Sequence, residues 1–193
     1  MMHMHLQEEI MFELYLGGGS IPPGRAVNQR IAVRAVIMDG DRILLVRTKK
    51  GDYKIPGGAV KLREMREEAL LREVTEETGY IDVRIMEELG ILVQQRPDLY
   101  EADKYFRMES HYYRCVLMDD RNVGQCLDEN EKLQEIVPAF VPLKEAAASN
   151  RNLLRTDSAD MYDWVERETL VLEELARQGV HREIQGAGPL NVR

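Results

Sequence analysis

The segment from Gly58 to Tyr80 constrains this chain more than any other, because it joins a glycine turn to an acidic helical pattern. It reads GAVKLREMREEALLREVTEETGY. Successive residues of an α-helix advance by about 100°. Glu73, Glu76 and Glu77 are spaced three and four residues apart, so they fall in one sector of the predicted helix.

This helix is predicted to run over residues 63–78, with an apolar side that packs on a sheet. Leu70, Leu71 and Val74 occupy a sector away from the glutamates. Gly79 suits the left-handed conformation that ends many helices. Like charges at these spacings destabilise an isolated helix. A solvated acidic surface relieved by nearby arginines is one interpretation, but the neighbouring glycines favour a site for a divalent cation.

Magnesium suits such a group of carboxylates, because it is a hard cation that prefers oxygen ligands and usually retains several waters. It would bind through one or two carboxylates and through phosphate oxygens of a substrate. A main-chain carbonyl of the Gly57–Gly58 turn could be a further ligand, since glycine lets the backbone approach closely. The metal would neutralise phosphate charge and lower the pKa of a bound water. A nearby carboxylate would help to remove the proton of that water.

These residues resemble the Nudix hydrolase family, whose pattern is G-x5-E-x7-R-E-U-x-E-E-x-G-U, where U is a bulky apolar residue. Every fixed position is matched here, and only Tyr80 is an unusual apolar choice. The strand pattern extends the resemblance to about residues 30–143. Two departures concern the start of the helix. Arg63 stands where the family often has glycine, and Met65 stands where a Ser or Thr cap is common.

The resemblance implies a fold and an activity. The fold class is α+β, a Nudix α/β/α sandwich with a mixed β-sheet between helices. The activity is a pyrophosphohydrolase reaction that cleaves the diphosphate linkage of a nucleoside diphosphate derivative with Mg²⁺ or Mn²⁺. Pro97 resembles a proline that often follows the motif in enzymes that split ADP-ribose, while nucleoside triphosphates stay equally open as substrates.

The resemblance also implies roles for individual residues. The implied catalytic residues and metal ligands are Glu73, Glu76 and Glu77, with Gly58 as a further metal ligand. One of these carboxylates would also serve as the base. Supporting roles fall to Gly57 in the turn, to Glu64 as an outer ligand or orienting partner, and to Arg72 as a brace for the glutamates.

The residues that bind substrate are less well marked. Tyr53, Glu109 and His111 are candidates, and for each a core or surface role stays open. A carboxylate outside the motif often completes such sites in this family. The candidates for it are Glu101, Asp103, Glu109, Glu129, Glu131 and Glu135.

Length and composition predict a single-domain enzyme with extensions. The chain of 193 residues divides into an N-terminal extension over 1–25, a hydrolase domain over 26–179 that includes a C-terminal helix, and a flexible tail over 180–193. The extension is expected to contain a peripheral strand over 10–16. The formal net charge of −8 argues against a nucleic-acid partner. Bound metal and arginines near the cleft would offset that charge for a small nucleotide substrate.

No apolar run approaches the roughly 20 residues that span a bilayer, and the N-terminus lacks the apolar stretch of a signal peptide. No membrane partner is therefore expected. Cys115 and Cys126 are the two cysteines. They lack the spacing of a metal site, which suggests a reducing, cytoplasmic location. A homodimer is expected only by analogy, since many relatives are dimers.

Two alternatives to this hydrolase stay open. A non-catalytic nucleotide-sensing Nudix module would usually have lost a key glutamate, whereas this chain retains them all. Isopentenyl diphosphate isomerisation uses a related fold and would need a catalytic cysteine near the site.

The remaining pattern predicts an order of mixed strands and helices. Strands are expected over residues 30–38, 42–47, 81–86, 89–95, 104–118 and 136–141. A hairpin turn at Asp39-Gly40-Asp41 joins the first two. Residues 128–135 are expected to form an acidic loop, 143–148 a short helix, and 159–178 a longer helix capped by Thr156, Asp157 or Ser158.

Overall fold

A computed structural model describes residues 10–18, 20–156 and 164–180. The described strands are β1 (Phe12–Leu16), β2 (Ala26–Asp39), β3 (Arg42–Arg47), β4 (Tyr53–Lys54), β5 (Val83–Pro97), β6 (Lys104–Leu117) and β7 (Val137–Pro142). The described helices are α1 (Arg66–Thr78), α2 (Glu129–Gln134), α3 (Leu143–Arg155) and α4 (Val165–Gln178). Within these ranges no helix combines the length and apolar character that a bilayer crossing requires.

The strands form one mixed sheet in the order β1-β5-β6-β2-β3-β4, and β7 pairs with β3. The β1–β5 and β2–β6 pairs are parallel, while β2–β3, β3–β4, β3–β7 and β5–β6 are antiparallel. The hairpin predicted at Gly40 is confirmed, because Asp39 pairs with Arg42. The predicted mixed sheet is therefore present.

Side chains alternate between the two faces of the sheet, and each face is covered by helices. On one face, Leu70 and Val74 of α1 pack in a core with Val33 and Ile37 of β2. On the other face, α3 and α4 share a core with β2 through residues such as Val36. The predicted sandwich with a sheet between helices is confirmed.

Three parts of the pattern differ from the sequence expectation. Residues 83–97 form one strand rather than two, because register shifts between Ile85 and Glu87 and between Glu88 and Gly90 absorb the irregular pattern. Residues 129–134 form α2 instead of a loop. Leu71, expected on the packed side of α1, is 38% exposed.

Helix α2 forms because its first turn is capped in both directions. The Asp128 carboxylate accepts a hydrogen bond from the Glu131 N–H, and the Glu131 carboxylate accepts one from the Asp128 N–H, both at 2.8 Å. This reciprocal arrangement satisfies donors that a helix N-terminus otherwise leaves unpaired. It also fixes the backbone from which the Glu131 side chain extends.

The C-terminal helices also differ in extent from the prediction. Helix α3 continues to Arg155 rather than 148, since its Ala146, Ala147 and Asn150 are buried. The predicted helix over 159–178 is described from Val165 onward. Its predicted beginning and the proposed caps Asp157 and Ser158 lie outside the described residues. So do residues 1–9 of the predicted extension and residues 181–193 of the predicted tail.

Candidate active site

The turn Pro56-Gly57-Gly58 lies against the central strand β2. The Ala35 N–H donates to the Pro56 carbonyl at 2.9 Å, and the Val33 N–H donates to the Gly58 carbonyl at 3.0 Å. Gly57 has a φ of 141°, which L side chains rarely adopt. A Cβ there would collide with the Val33 carbonyl. The turn can approach the strand this closely only with glycine at this position.

The chain enters α1 without a Ser or Thr cap. The helix begins at Arg66, three residues after the predicted start, because Arg63 adopts a left-handed φ of 65°. This conformation explains why glycine suits that position in the family. The Met65 N–H donates instead to the Glu68 carboxylate at 3.1 Å, which is one half of a capping box. The departures at Arg63 and Met65 therefore leave an intact helix start.

The helix ends as the sequence predicted. Gly79 has a φ of 82° in the left-handed region, and its N–H donates to the Thr75 carbonyl at 2.9 Å. This closure satisfies a carbonyl that the end of a helix leaves unpaired. The glutamates near the end of α1 thus extend from a regular helical backbone.

Arg72 ties three glutamates together through one guanidinium group. It donates to Glu64 at 2.7 and 3.0 Å, to Glu73 at 2.7 Å and to Glu76 at 3.1 Å. These hydrogen bonds raise the pKa of Arg72, most strongly through Glu64. The same interaction lowers the pKa of Glu64 to about 2. Arg72 therefore lies where a brace for the acidic residues is needed.

Glu73, Glu77 and Glu131 form a carboxylate cluster in which one oxygen from each residue lies within 4.8 Å of the others. The structure therefore brings together two of the three predicted glutamates of α1. Among the described residues, Glu76 is not part of this cluster. It pairs with Arg72 and its side chain is 35% exposed. Glu131 arrives from α2 and was one of several carboxylates that the sequence left open.

Burial and mutual repulsion disfavour the charged forms of the Glu73 and Glu131 carboxylates. Burial raises the pKa of Glu73, and the nearby charge of Glu77 raises it further, although Arg72 opposes the shift. Burial also raises the pKa of Glu131, with a contribution from Glu77. A cation among these oxygens would relieve both the desolvation and the repulsion. Three hard oxygen donors at this separation fit a divalent ion such as Mg²⁺ or Mn²⁺.

Two residues of the turn and one of β4 orient this cluster. The Gly57 N–H donates to Glu77 at 2.8 Å, and Lys54 Nζ pairs with the other Glu77 oxygen at 2.5 Å. A Cβ on Gly58 would come within about 2.5 Å of the Glu73 carboxylate. The glycine turn thus makes room for one glutamate and donates a hydrogen bond to the other.

The carbonyls of the turn already have partners within the protein. The Gly58 carbonyl accepts from the Val33 N–H, and the Gly57 carbonyl accepts from the Arg34 guanidinium. A carbonyl oxygen has two lone pairs. The predicted ligand role of Gly58 would therefore use the lone pair that Val33 does not.

The carboxylate cluster lies in a cleft of about 920 Å³. Its described lining includes basic residues Arg30, Arg34, Lys49, Lys50, Lys54, Lys61 and Arg167, acidic residues Glu73, Glu77, Asp128 and Glu131, and the aromatic residues Tyr100, Phe106 and Trp164. Basic residues outnumber acidic ones in this described lining, although the whole chain carries a net charge of −8. The cleft suits an anionic ligand once a cation offsets its carboxylates.

The three predicted substrate-binding residues lie elsewhere among the described residues. Tyr53 packs partly buried against the core. Its N–H donates to the Asn150 side-chain oxygen, and its carbonyl accepts from the Asn150 side-chain amide, both at 2.8 Å. Glu109 pairs with Arg107. His111 is buried on the α1 face of the sheet, with its Nδ1 atom 2.6 Å from Glu88. Of these side chains, none belongs to the described lining of the cleft.

Several residues of the cleft were not predicted from the sequence. Lys54 stands two residues before Pro56, and its position beside the glycine turn was the available signal. Tyr100 gave no signal, because its place at the cleft depends on how the β5–β6 hairpin folds. Neither Cys115, which is buried, nor the exposed Cys126 belongs to the described lining. This arrangement does not support a cysteine-dependent isomerase.

Comparison with known proteins supports the resemblance drawn from the motif. A family model described as NUDIX domain matches residues 28–165. An ADP-ribose pyrophosphatase of Methanocaldococcus jannaschii is 44% identical over 55 residues, which cover 26% of this chain and 32% of that enzyme. The match thus spans about a third of that relative's length.

Two solved structures resemble this one in fold. The Escherichia coli dihydroneopterin triphosphate pyrophosphohydrolase has a TM-score of 0.51 at 14% identity, covering 77% of this chain and 96% of that one. An ADP-ribose pyrophosphatase of Streptococcus suis has a TM-score of 0.46 at 21% identity, covering 77% of this chain and 92% of that one. At these identities the first likeness supports the fold alone.

Proposed function

Because the chain belongs to the NUDIX domain family, we propose that it is a metal-dependent pyrophosphohydrolase that cleaves the diphosphate linkage of a nucleoside diphosphate derivative. The observation that carries this proposal is the cluster of Glu73, Glu77 and Glu131 inside a cleft rich in lysine and arginine. An ADP-ribose-like compound and a nucleoside triphosphate are the two substrate classes to compare. The name of the archaeal relative supports the first.

Mg²⁺ or Mn²⁺ would be held by Glu73, Glu77 and Glu131, with Glu76 and the Gly58 carbonyl as further ligands. Such an ion neutralises phosphate charge and lowers the pKa of a bound water. The other contributions come from the protein itself. They concern the orientation of the carboxylates, the placement of the diphosphate and the removal of a proton.

Hydrogen-bond donors on the protein orient the glutamate side chains. Arg72 fixes Glu73 and Glu76, while Gly57 and Lys54 fix Glu77. Such bracing matters because small displacements of reacting groups can cost about 100-fold in rate. We therefore assign Gly57, Glu64 and Arg72 supporting roles.

The diphosphate would lie along the basic lining of the cleft. Water attacks one phosphorus, the bridging P–O bond breaks, and the displaced phosphate leaves as the second product. A carboxylate of the cluster accepts the proton of the attacking water. Glu73 is assigned this role because it belongs to the cluster and the Arg72 guanidinium orients its carboxylate, and a positioned carboxylate can accept a proton in the transition state.

Substitution of the glutamates tests this proposal. We expect Glu76→Gln and Glu77→Gln to lower turnover by roughly 100-fold or more, because each removes a charged oxygen that holds the ion or the proton. Glu67→Gln is the matched control, since Glu67 is an exposed residue of the same helix. Product formation would be measured with ADP-ribose and with nucleoside triphosphates at millimolar Mg²⁺.

The outcomes separate an enzyme from a sensing module. Turnover like that of the unaltered protein in both Glu76→Gln and Glu77→Gln would remove the mechanism. Tight binding of ADP-ribose by calorimetry, with no product from any substrate tested, would favour a non-catalytic nucleotide sensor.

A further inference from the structure

The loop between β5 and β6 is tied to the face of the sheet that lines the cleft. Asn28 of β2 is on the same face as Arg30 and Arg34, since alternate residues of a strand share a face. Its side-chain amide donates to Asp98 at 2.8 Å and to Glu101 at 2.9 Å. These two hydrogen bonds tie the loop to β2 beside the cleft, whose lining includes Tyr100 of the loop.

The same loop is braced internally around Tyr100. The Asp98 carboxylate accepts from the Tyr100 N–H at 2.9 Å and from the Glu101 N–H at 3.2 Å. The Lys104 N–H donates to the Glu101 carbonyl at 2.9 Å, and the Asp98 N–H donates to the Lys104 carbonyl at 3.0 Å. These hydrogen bonds fix the backbone at Tyr100, although Tyr100 is 93% exposed to solvent.

Tyr100 belongs to the lining of the cleft together with an apolar area of the sheet. Phe106 and Met108 of β6 and Gln94 of β5 line the same cleft, and the Arg96 guanidinium lies 4.9 Å from the centre of the Phe106 ring. From Tyr100 to the level of Arg30, where Gln94 and Met108 lie, the cleft combines an exposed ring, an apolar floor and an amide. A flat heteroaromatic group can stack on such a ring and hydrogen-bond to such an amide.

The aromatic residues at one end of the cleft and the glycine turn lie at different positions along β2. Ala32 of β2 pairs with Ala59, just after the glycine turn, whereas Asn28 is in register with Phe106. Four residues of a strand span about 13 Å. Arg30, which lines the cleft, lies midway between these two positions. The order along the sheet is therefore aromatic ring, cationic side chain and carboxylate cluster.

We infer that Tyr100 is the stacking platform for the nucleobase of the substrate, with the diphosphate extending past Arg30 toward Glu73 and Glu77. A nucleoside diphosphate has its groups in this order, base first, then sugar, then phosphates. The inference rests on the proposed function and deepens it, because it assigns the base-binding end of the cleft. Stacking a base on an aromatic side chain contributes roughly 5- to 150-fold in affinity.

The neighbouring residue offers a matched control. Leu99 is in the same loop and 67% exposed, but it is not part of the described lining of the cleft. Tyr100→Ala, Tyr100→Phe and Leu99→Ala would be compared by calorimetry in Mn²⁺, with ADP and with inorganic pyrophosphate as probes. We expect Tyr100→Ala to weaken ADP binding by roughly 5- to 150-fold while pyrophosphate binding stays within about twofold. Tyr100→Phe and Leu99→Ala should bind ADP like the unaltered protein.

Several results would overturn the inference. If Tyr100→Ala left the affinity for ADP unchanged, the ring would not hold a base. The same would follow if the substitution weakened pyrophosphate binding as much as ADP binding. Equal losses in Leu99→Ala or Tyr100→Phe would also exclude stacking on this ring. If the unaltered protein bound pyrophosphate but not ADP, this inference alone would fail. If it bound neither and hydrolysed none of the nucleotides, the proposed function itself would fail.

Discussion

Replacement of Gly58 by alanine tests how the glycine turn positions the acidic helix. Gly58 lacks the left-handed φ that its neighbour Gly57 has, so alanine can adopt its backbone conformation. The added methyl group would nevertheless overlap the Glu73 carboxylate, with a Cβ–Oε1 distance of 2.5 Å. Real contacts are not that short, so the Glu73 carboxylate must move.

The structure indicates a small effect on stability and a large effect on activity. Overpacking typically costs about 1–3 kcal/mol, while replacing glycine at a compatible position returns about 0.4–1 kcal/mol through the unfolded state. The net loss is therefore about 0–2.5 kcal/mol. The end of the Glu73 side chain can rotate away, which favours the lower half of that range. A displacement of about 1 Å would lower kcat by roughly 100-fold.

The assay combines turnover, Mn²⁺ binding and urea unfolding, with Gly57→Ala as the comparison. At Gly57 the collision involves the Val33 carbonyl and the Arg34 Cα at 2.9 Å, and the φ is left-handed. Only backbone movement relieves that collision, so we expect about 3 kcal/mol or more of destabilisation. If Gly58→Ala kept normal turnover and Mn²⁺ affinity, the turn would not position Glu73 and this reasoning would be wrong.

Three further predictions concern charge, thiols and metal. The pKa of Glu64 is lowered from 4.5 to about 2 by Arg72, so its stabilising contribution is complete above about pH 4.5 and is lost as the pH falls toward 2. The difference in urea midpoint between the unaltered protein and Glu64→Gln should therefore shrink as the pH falls from about 4.5 toward 2. A difference that stayed constant over this pH range would contradict the stabilising role of the Glu64 charge. Burial raises the pKa of Cys115 to about 12, so a thiol reagent at pH 8 should label only Cys126 until the protein unfolds. Cys126→Ser should therefore abolish the rapid labelling. Rapid labelling of Cys115 in the folded protein would contradict its burial in the core. Mn²⁺ at about 100 times its Kd should stabilise the protein by about 2.7 kcal/mol, as measured by urea unfolding. Glu77→Gln should remove most of this gain at the same Mn²⁺ concentration, and an unchanged gain would exclude Glu77 as a ligand.

The sequence predicted the fold well where one periodicity dominates. The strand predicted over 30–38 is part of β2, in which Val33 and Ile37 pack in the core with α1, and Val36 packs in the core with α3 and α4. Helix α2 was missed because it is short and polar, with no buried residue. Its stability comes from the reciprocal cap at Asp128 rather than from an apolar stripe.

The carboxylate cluster could be predicted only in part, because helical spacing gives direction but not contacts. Glu73, Glu76 and Glu77 share a sector, yet Arg72 lies four residues before Glu76 and pairs with it. Glu131 joins Glu73 and Glu77 through tertiary packing, about 54 residues further along the chain. Propensity and spacing do not report such a long-range approach. The sequence therefore predicted Glu76 as the third carboxylate of the site, whereas the structure places Glu131 beside Glu73 and Glu77.

The distribution of charge would allow an acidic chain to bind the anionic substrate that we propose. The net charge of −8 belongs to the whole molecule, whereas in the described cleft lining lysine and arginine outnumber aspartate and glutamate. Exposed charges farther away than about 8 Å are largely screened at physiological salt, so the local lining governs binding. Lys54 already pairs with Glu77, and a bound cation would leave that ammonium group available to phosphate. Metal and phosphate should therefore bind cooperatively, since each offsets a charge that opposes the other.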